Sequence, residues 1–225
     1  MAFPKKLVRE NLFVTPTWYV DAPNLLPALI KATNPYIKKS KQHFKKSTAE
    51  RNKRLGSKND IGIVYHSTTL IGDHNLHEFS LYVVNTANNL LTEMGHDLTN
   101  HQTFLTELWV QEFPKSGGGM HDLHTHWNGH ISGFYFLKCS ARTSMPVFED
   151  PRPGAMINSL PQKDKNMITF AATEAPYKIV PGRFIFFPSY LPHKFILDLG
   201  LDDFRFIHFN CQTITKGVYN VVQKK

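Results

Sequence analysis

The chain has 225 residues, 41% of them apolar and 17 of them phenylalanine, a composition that specifies a folded globular protein and excludes disordered and fibrous classes. No stretch approaches the run of about 18 apolar residues a membrane helix needs, and the opening MAFPKKLVRENLF lacks the apolar segment of a signal peptide, so the sequence reads as an untargeted cytoplasmic protein. The formal net charge is +8, but the segment from Lys38 to Arg54 holds eight Lys or Arg against one Glu and carries +7 of it. That run lacks the interleaved aromatics of a nucleic-acid module and reads as a solvated helix face or loop, with nucleic acid or another polyanion as the lesser alternative. Cys139 and Cys211 lie far apart without a CxxC spacing, which suggests two reduced thiols.

In chain order, Asn24–Tyr36 is a weak candidate helix. The spacing of Phe79, Tyr82, Val83, Leu90, Leu91 and Met94 predicts a stronger one over His77–Met94, with Gly95 as its stop. From 104 onward the pattern changes to short aromatic and β-branched runs bounded by Gly, Pro, Asn and Asp: 104–113, 130–138, 145–149, 166–172, 176–180, 183–188, 193–199 and 204–213. Together with the histidine-bearing segment before 130 they make eight or nine strands, the count of a mainly β jelly roll or double-stranded β-helix. The expected organisation is one domain over 1–225: helical and extended elaboration over 1–103 packed outside, a jelly-roll core over 104–213, and a tail over 214–225.

Residues 117–137, GGGMHDLHTHWNGHISGFYFL, hold His121, His124, His126 and His130 in a chain with twelve histidines. On a strand, alternate side chains share a face, so His124 and His126 would project together with Cα atoms about 6.6 Å apart. Two imidazoles are half a metal site. The remainder comes from another strand, and His193, delivered by PGRFIFFPSYLPH, is the candidate; three nitrogens on one face of an octahedron leave positions open for small ligands. His121 and His130, like His43, His66, His74, His77, His96 and His101, read as hydrogen-bonded structural residues. Arg205, in DDFRFIHFN, begins the strand after His193, where it would lie beside the His193 strand. An Arg that projects into an aromatic-lined barrel next to a metal is explained by a carboxylate ligand held in its planar fork.

HTHWNGHISGFYFL, FEDPRPG, FFPSYLPH and RFIHFN, in this order and spacing, resemble the 2-oxoglutarate/Fe(II)-dependent oxygenases found in bacteria and tailed phages. The resemblance covers 104–213 and extends loosely to LFVTPTW (12–18). It implies a double-stranded β-helix that binds Fe(II) and 2-oxoglutarate, releases succinate and carbon dioxide, and oxidises an unidentified substrate through a ferryl intermediate. It also implies His124 and His193 as ligands and Arg205 as the anchor of the far carboxylate of 2-oxoglutarate. The wider superfamily carries Asp or Glu where this chain has His126, so the third ligand is His126 or a carboxylate from Asp122, Glu149 or Asp150. Related hydroxylases place Tyr-Tyr-Leu where this chain reads Tyr135-Phe136-Leu137, which leaves Tyr135, Ser132 or another strand to supply the cofactor-binding hydroxyl. The Asp-Arg pair of EDPR (149–152) closes a turn, and Trp127, Tyr190 and Phe195 are aromatics for the mouth or the core. Two other readings fit the histidines: a cupin-type metal dioxygenase or isomerase without 2-oxoglutarate, and a non-enzymatic β-domain.

Overall fold

The computed structural model describes residues 8–56, 60–158 and 160–222; residues 1–7 and the last three of the tail, 223–225, lie outside the described residues. A short strand β1 (Trp18–Asp21) precedes the long helix α1 (Leu26–Leu55). The buried positions in the first half of α1 are Leu29, Thr33, Ile37 and Ser40, spaced by three or four residues, so one narrow stripe faces the protein there. Pro35 and the lysine run hide that stripe in the sequence, which is why the helix extends far beyond the expected 24–36. It stops at Gly56, whose φ of +64° suits glycine. The basic segment is therefore a helix face, with Lys38, Lys39 and Lys45 exposed.

The elements that follow are β2 (Tyr65–His66), α2 (His77–Glu93), β3 (His101–Glu112), β4 (His121–His124), β5 (Ile131–Lys138), β6 (Pro146–Glu149), α3 (Pro153–Ile157), β7 (Glu174–Pro176), β8 (Arg183–Pro188), β9 (His193–Phe195), β10 (Arg205–Thr215) and α4 (Lys216–Val222). They form a six-stranded sheet in the order β1-β8-β5-β10-β3-β2 and a four-stranded sheet in the order β4-β9-β6-β7. All pairings are antiparallel. This is the mainly β, jelly-roll arrangement that the strand pattern predicts, with several differences, among them that the strand expected over 176–180 is replaced by β7 at Glu174–Pro176. Residues 166–172 form turns, with Met167, Ile168 and Phe170 exposed, because the segment has no neighbouring strand to pair with. The amino-terminal region contributes β1 and β2 to the larger sheet as well as the covering helices. β10 pairs with β3 and β5, not with the strand that carries His193.

The larger sheet is buried on both faces, and the alternation of its strands sorts the side chains. Phe184, Phe186, Tyr135, Leu137, Ile207 and Phe209 pack with Leu29, Ile37, Phe79, Val83 and Leu91 of α1 and α2. Phe134, Phe136, Ile185, Phe187 and Phe206 point the other way, onto Phe148 and Phe195 of the smaller sheet. Phenylalanines thus fill the space between the sheets. Among the described residues, no helix is long and apolar enough to cross a membrane.

One glycine is required by a close approach. A Cβ on Gly133, in the middle of β5, would collide with the Ile185 carbonyl and the Phe209 ring. Both neighbours are fixed, one by the ladder and one by the core, so Gly133→Ala is expected to cost about 3 kcal/mol or more. In thermal denaturation that is a Tm lowered by roughly 6–12 °C.

Candidate metal centre

His124 and His193 stand directly opposite each other in the β4–β9 pair. His126 follows β4 rather than lying on it, and its backbone N–H donates to the Ser189 carbonyl at 3.0 Å, which turns the segment back toward the cluster. The three imidazoles offer ligand nitrogens that all lie within 4.8 Å of one another. Their ring centroids are separated by 4.4 Å (His124–His193), 5.1 Å (His124–His126) and 5.2 Å (His126–His193).

Hydrogen bonding fixes which nitrogen is free. The Nδ1 of His193 lies 3.0 Å from the Leu191 carbonyl, and that of His124 lies 2.7 Å from the Asp122 carbonyl. A carbonyl can only accept, so each Nδ1 carries the proton and each Nε2 presents a lone pair. The Nε2 atoms of His126 and His193 are buried and have no hydrogen-bond partner. Burial also keeps the rings neutral: it pushes His193 and His126 down to about 3. Neutral imidazoles with convergent, unpartnered lone pairs in a Phe-lined interior fit a metal ion, and leaving them unpaired would cost about 1–3 kcal/mol each.

The same burial lowers His121 and His208 to about 4. When unfolded, each of these four histidines titrates near 6.5, so between that pH and about 4 the unfolded state binds more protons than the folded one. The metal-free protein is therefore expected to lose stability as pH falls from 6.5 to 4. The slope is up to about 1.4 kcal/mol per pH unit for each fully buried ring and less for the partly exposed His121 and His126. Urea denaturation at a series of pH values, with chelator present, measures it.

Two predicted site residues face away from the cluster. Arg205 lies on the α1 side of β10: its Nε donates to Glu112 Oε2 at 2.7 Å and its guanidinium to Asn34 Oδ1 at 2.6 Å. Phe206, His208 and Asn210 have the opposite parity, and it is His208 that packs against the His126 ring, tilted, at 4.8 Å. Tyr135 likewise points to the helices and donates to the Ala22 carbonyl at 2.8 Å, while Phe136 faces inward. The anchor and phenol roles of Arg205 and Tyr135 therefore do not match their positions. Ser132, also on the inner face, pairs its hydroxyl with Ser189 at 2.8 Å.

The carboxylates weighed as replacements for His126 are also elsewhere. Asp122 is exposed, Glu149 is held by Lys194 at 2.9 Å, and Asp150 closes its turn with Arg152 at 2.7 Å. His121 and His130 are hydrogen-bonded, to Gln111 and to the Thr213 N–H. Trp127 and Tyr190 are exposed, whereas Phe195 is core. Two polar residues that the sequence reading passed over, Glu107 and His208, stand beside His126. Their signal was alternation: Glu107 shares a face with Gln111, and His208 with Phe206.

A two-sheet β fold with three imidazoles converging between its sheets is an arrangement that can hold a divalent metal ion. Residues 107–202 match the family model described as "Putative 2OG-Fe(II) oxygenase", a span that includes all three histidines and ends before Arg205. None of the curated proteins compared with the chain matches it. Among solved structures, AviO1 from Streptomyces viridochromogenes Tue57 superposes with a TM-score of 0.52 at 11% identity, over 88% of this chain and 90% of that one. The epimerase SnoN, in complex with Fe3+, alpha ketoglutarate and nogalamycin RO, gives 0.52 at 9% identity, over 89% and 81%. A 2OG-Fe(II) oxygenase family oxidoreductase from Burkholderia pseudomallei gives 0.38 at 12% identity over 64% of this chain; the chain spans about half, 54%, of that protein. At these identities the likeness is one of fold.

Proposed function

We propose that His124, His126 and His193 hold Fe(II) through their Nε2 atoms, and that the protein hydroxylates an organic substrate at the expense of 2-oxoglutarate and oxygen. The observation that carries this reading is the pair of buried, unpartnered Nε2 atoms of His126 and His193 converging with His124. Bound there, Fe(II) supplies the redox centre at which 2-oxoglutarate and oxygen are consumed. The chain's own residues orient and protect that centre. The Leu191 and Asp122 carbonyls lock two of the imidazoles. The Phe134, Phe148 and Phe187 rings pack around His193 at 5.8, 6.1 and 4.8 Å and exclude water. Three neutral ligands leave the ion with its full charge, which favours an anionic, chelating cosubstrate beside it. With Arg205 and Tyr135 on the far face, the Ser132 and Ser189 hydroxyls are the inner-wall groups placed to hold a carboxylate.

For the substrate, the candidate is the cavity that borders Phe148, whose ring packs on His193 at 6.1 Å. This cavity, of about 580 Å³, lies between residues 10–17 and the segments around Phe148 and Tyr177, and Leu191 forms part of its wall. Anaerobic addition of Fe(II) and then 2-oxoglutarate tests the reading. A visible charge-transfer band, together with succinate formation once air is admitted, is expected in the wild type and absent in His193→Ala. Iron binding without the band would leave a metal enzyme that uses no 2-oxoglutarate, and no iron binding would remove the triad.

A further inference from the structure

His126 belongs to two clusters. Besides His124 and His193, it lies with Glu107 and His208 in a group whose ligand atoms are again all within 4.8 Å of one another. We infer that Glu107, His126 and His208 form a second site for a divalent cation, with Zn(II) as its preferred occupant. This goes beyond the oxygenase reading and does not depend on iron in the first cluster.

His208 is the independent observation. Its side chain is 1% exposed, and both ring nitrogens are buried with no hydrogen-bond partner. The ring is held between Trp109, at 4.4 Å, and His126, at 4.8 Å, so it cannot turn to find one. Its Nε2 stands 3.6 Å from Glu107 Oε2, too far for a hydrogen bond. With bonds of about 2.0–2.1 Å, two ligands of a tetrahedral ion sit about 3.4 Å apart, so this gap is one that a tetrahedral ion could bridge.

The carboxylate is built to remain an anion in that position. Asn128 and Asn210 donate their side-chain amides to its two oxygens at 3.1 and 2.9 Å, which leaves lone pairs on both. Two imidazoles and one carboxylate are a ligand set that zinc takes readily, and zinc outranks iron(II) in affinity at such sites. Because His126 is common to both clusters, an ion in the second position withdraws it from the first. Zinc is then an inhibitor that acts from a neighbouring position.

The test uses the full chain, stripped of metal, with His193→Ala as background so that the first cluster cannot form. Equilibrium dialysis against Zn(II), with Co(II) absorbance as a check on coordination geometry, is expected to show one tightly bound ion per chain and an intense, tetrahedral Co(II) spectrum. Adding Glu107→Gln, which keeps the shape and the amide contacts but removes the charge, should weaken binding at least about a hundredfold. Adding His208→Ala should do the same. Because His208 is fully buried, far-UV circular dichroism accompanies both variants, and Glu107→Gln decides the matter where His208→Ala does not fold. No bound zinc in His193→Ala overturns the second site, as does binding that either folded double variant leaves unchanged. Neither result bears on the wild-type charge-transfer band, so failure here and failure of the oxygenase reading are distinguishable.

Discussion

Arg205→Ala is expected to lower the stability of the protein by about 3–5 kcal/mol. The guanidinium and the Glu112 carboxylate are 6% and 9% exposed, and they meet on paired strands, β10 and β3, beneath α1. Removal of the arginine leaves a carboxylate in a site with little water, and Asn34 loses its donor as well. Lys41, from α1, also reaches Glu112 and softens the loss toward the lower figure. For a chain of this size the change corresponds to a Tm lowered by roughly 6–20 °C. Arg205→Met paired with Glu112→Leu should recover much of it, because an apolar pair of similar volume carries no desolvation cost. An Arg205→Ala variant as stable as the wild type, with weakened 2-oxoglutarate binding, would return the arginine to the cosubstrate site.

His126→Ala is expected to have the largest effect on metal binding. The ring is the shared member of both clusters, so its loss breaks each of them, whereas His193→Ala or His208→Ala breaks one. Fe(II) affinity and Zn(II) affinity should both fall at least about a hundredfold, and 2-oxoglutarate turnover should disappear. The fold should survive, since His126 lies two residues beyond the end of β4 and is anchored through its backbone, not its ring. Metal content by elemental analysis, read beside a circular dichroism spectrum, checks both halves of the expectation. Retained iron in this variant would transfer the third ligand to another residue.

The histidines were legible in the sequence because their spacing encodes geometry. His124 and His126 are two residues apart, and His193 follows a Pro-bracketed turn that ends in a strand, so convergence needed only the right fold. The face that Arg205 takes depends on register, which its own sequence does not state. The pairing of β10 with β5 shifts between Arg205 and Phe206, and one residue of displacement is enough to exchange inner and outer sides. Tyr135 and Phe136 pose the same problem with the opposite lesson. Fully buried strands show no polar alternation, so in SGFYFL the sequence does not say which aromatic faces the metal. The long α1 was hidden by Pro35 and by charge, and its apolar stripe emerges only once the sheet it covers is known.

β4 and β9 are four and three residues long, and they pair at His121 with Phe195 and at His124 with His193, with an irregularity between. A ladder that short holds few backbone hydrogen bonds, so the four-stranded sheet is the part of the sandwich that opens at lowest free energy. An ion joining His124 to His193 adds a bond across the same two strands. Local opening and metal release then become one equilibrium: amide protons of 121–126 and 193–195 exchange with solvent faster in the metal-free protein. Were Fe(II) held by these two histidines, the rate of its loss would be set by how often this sheet comes apart.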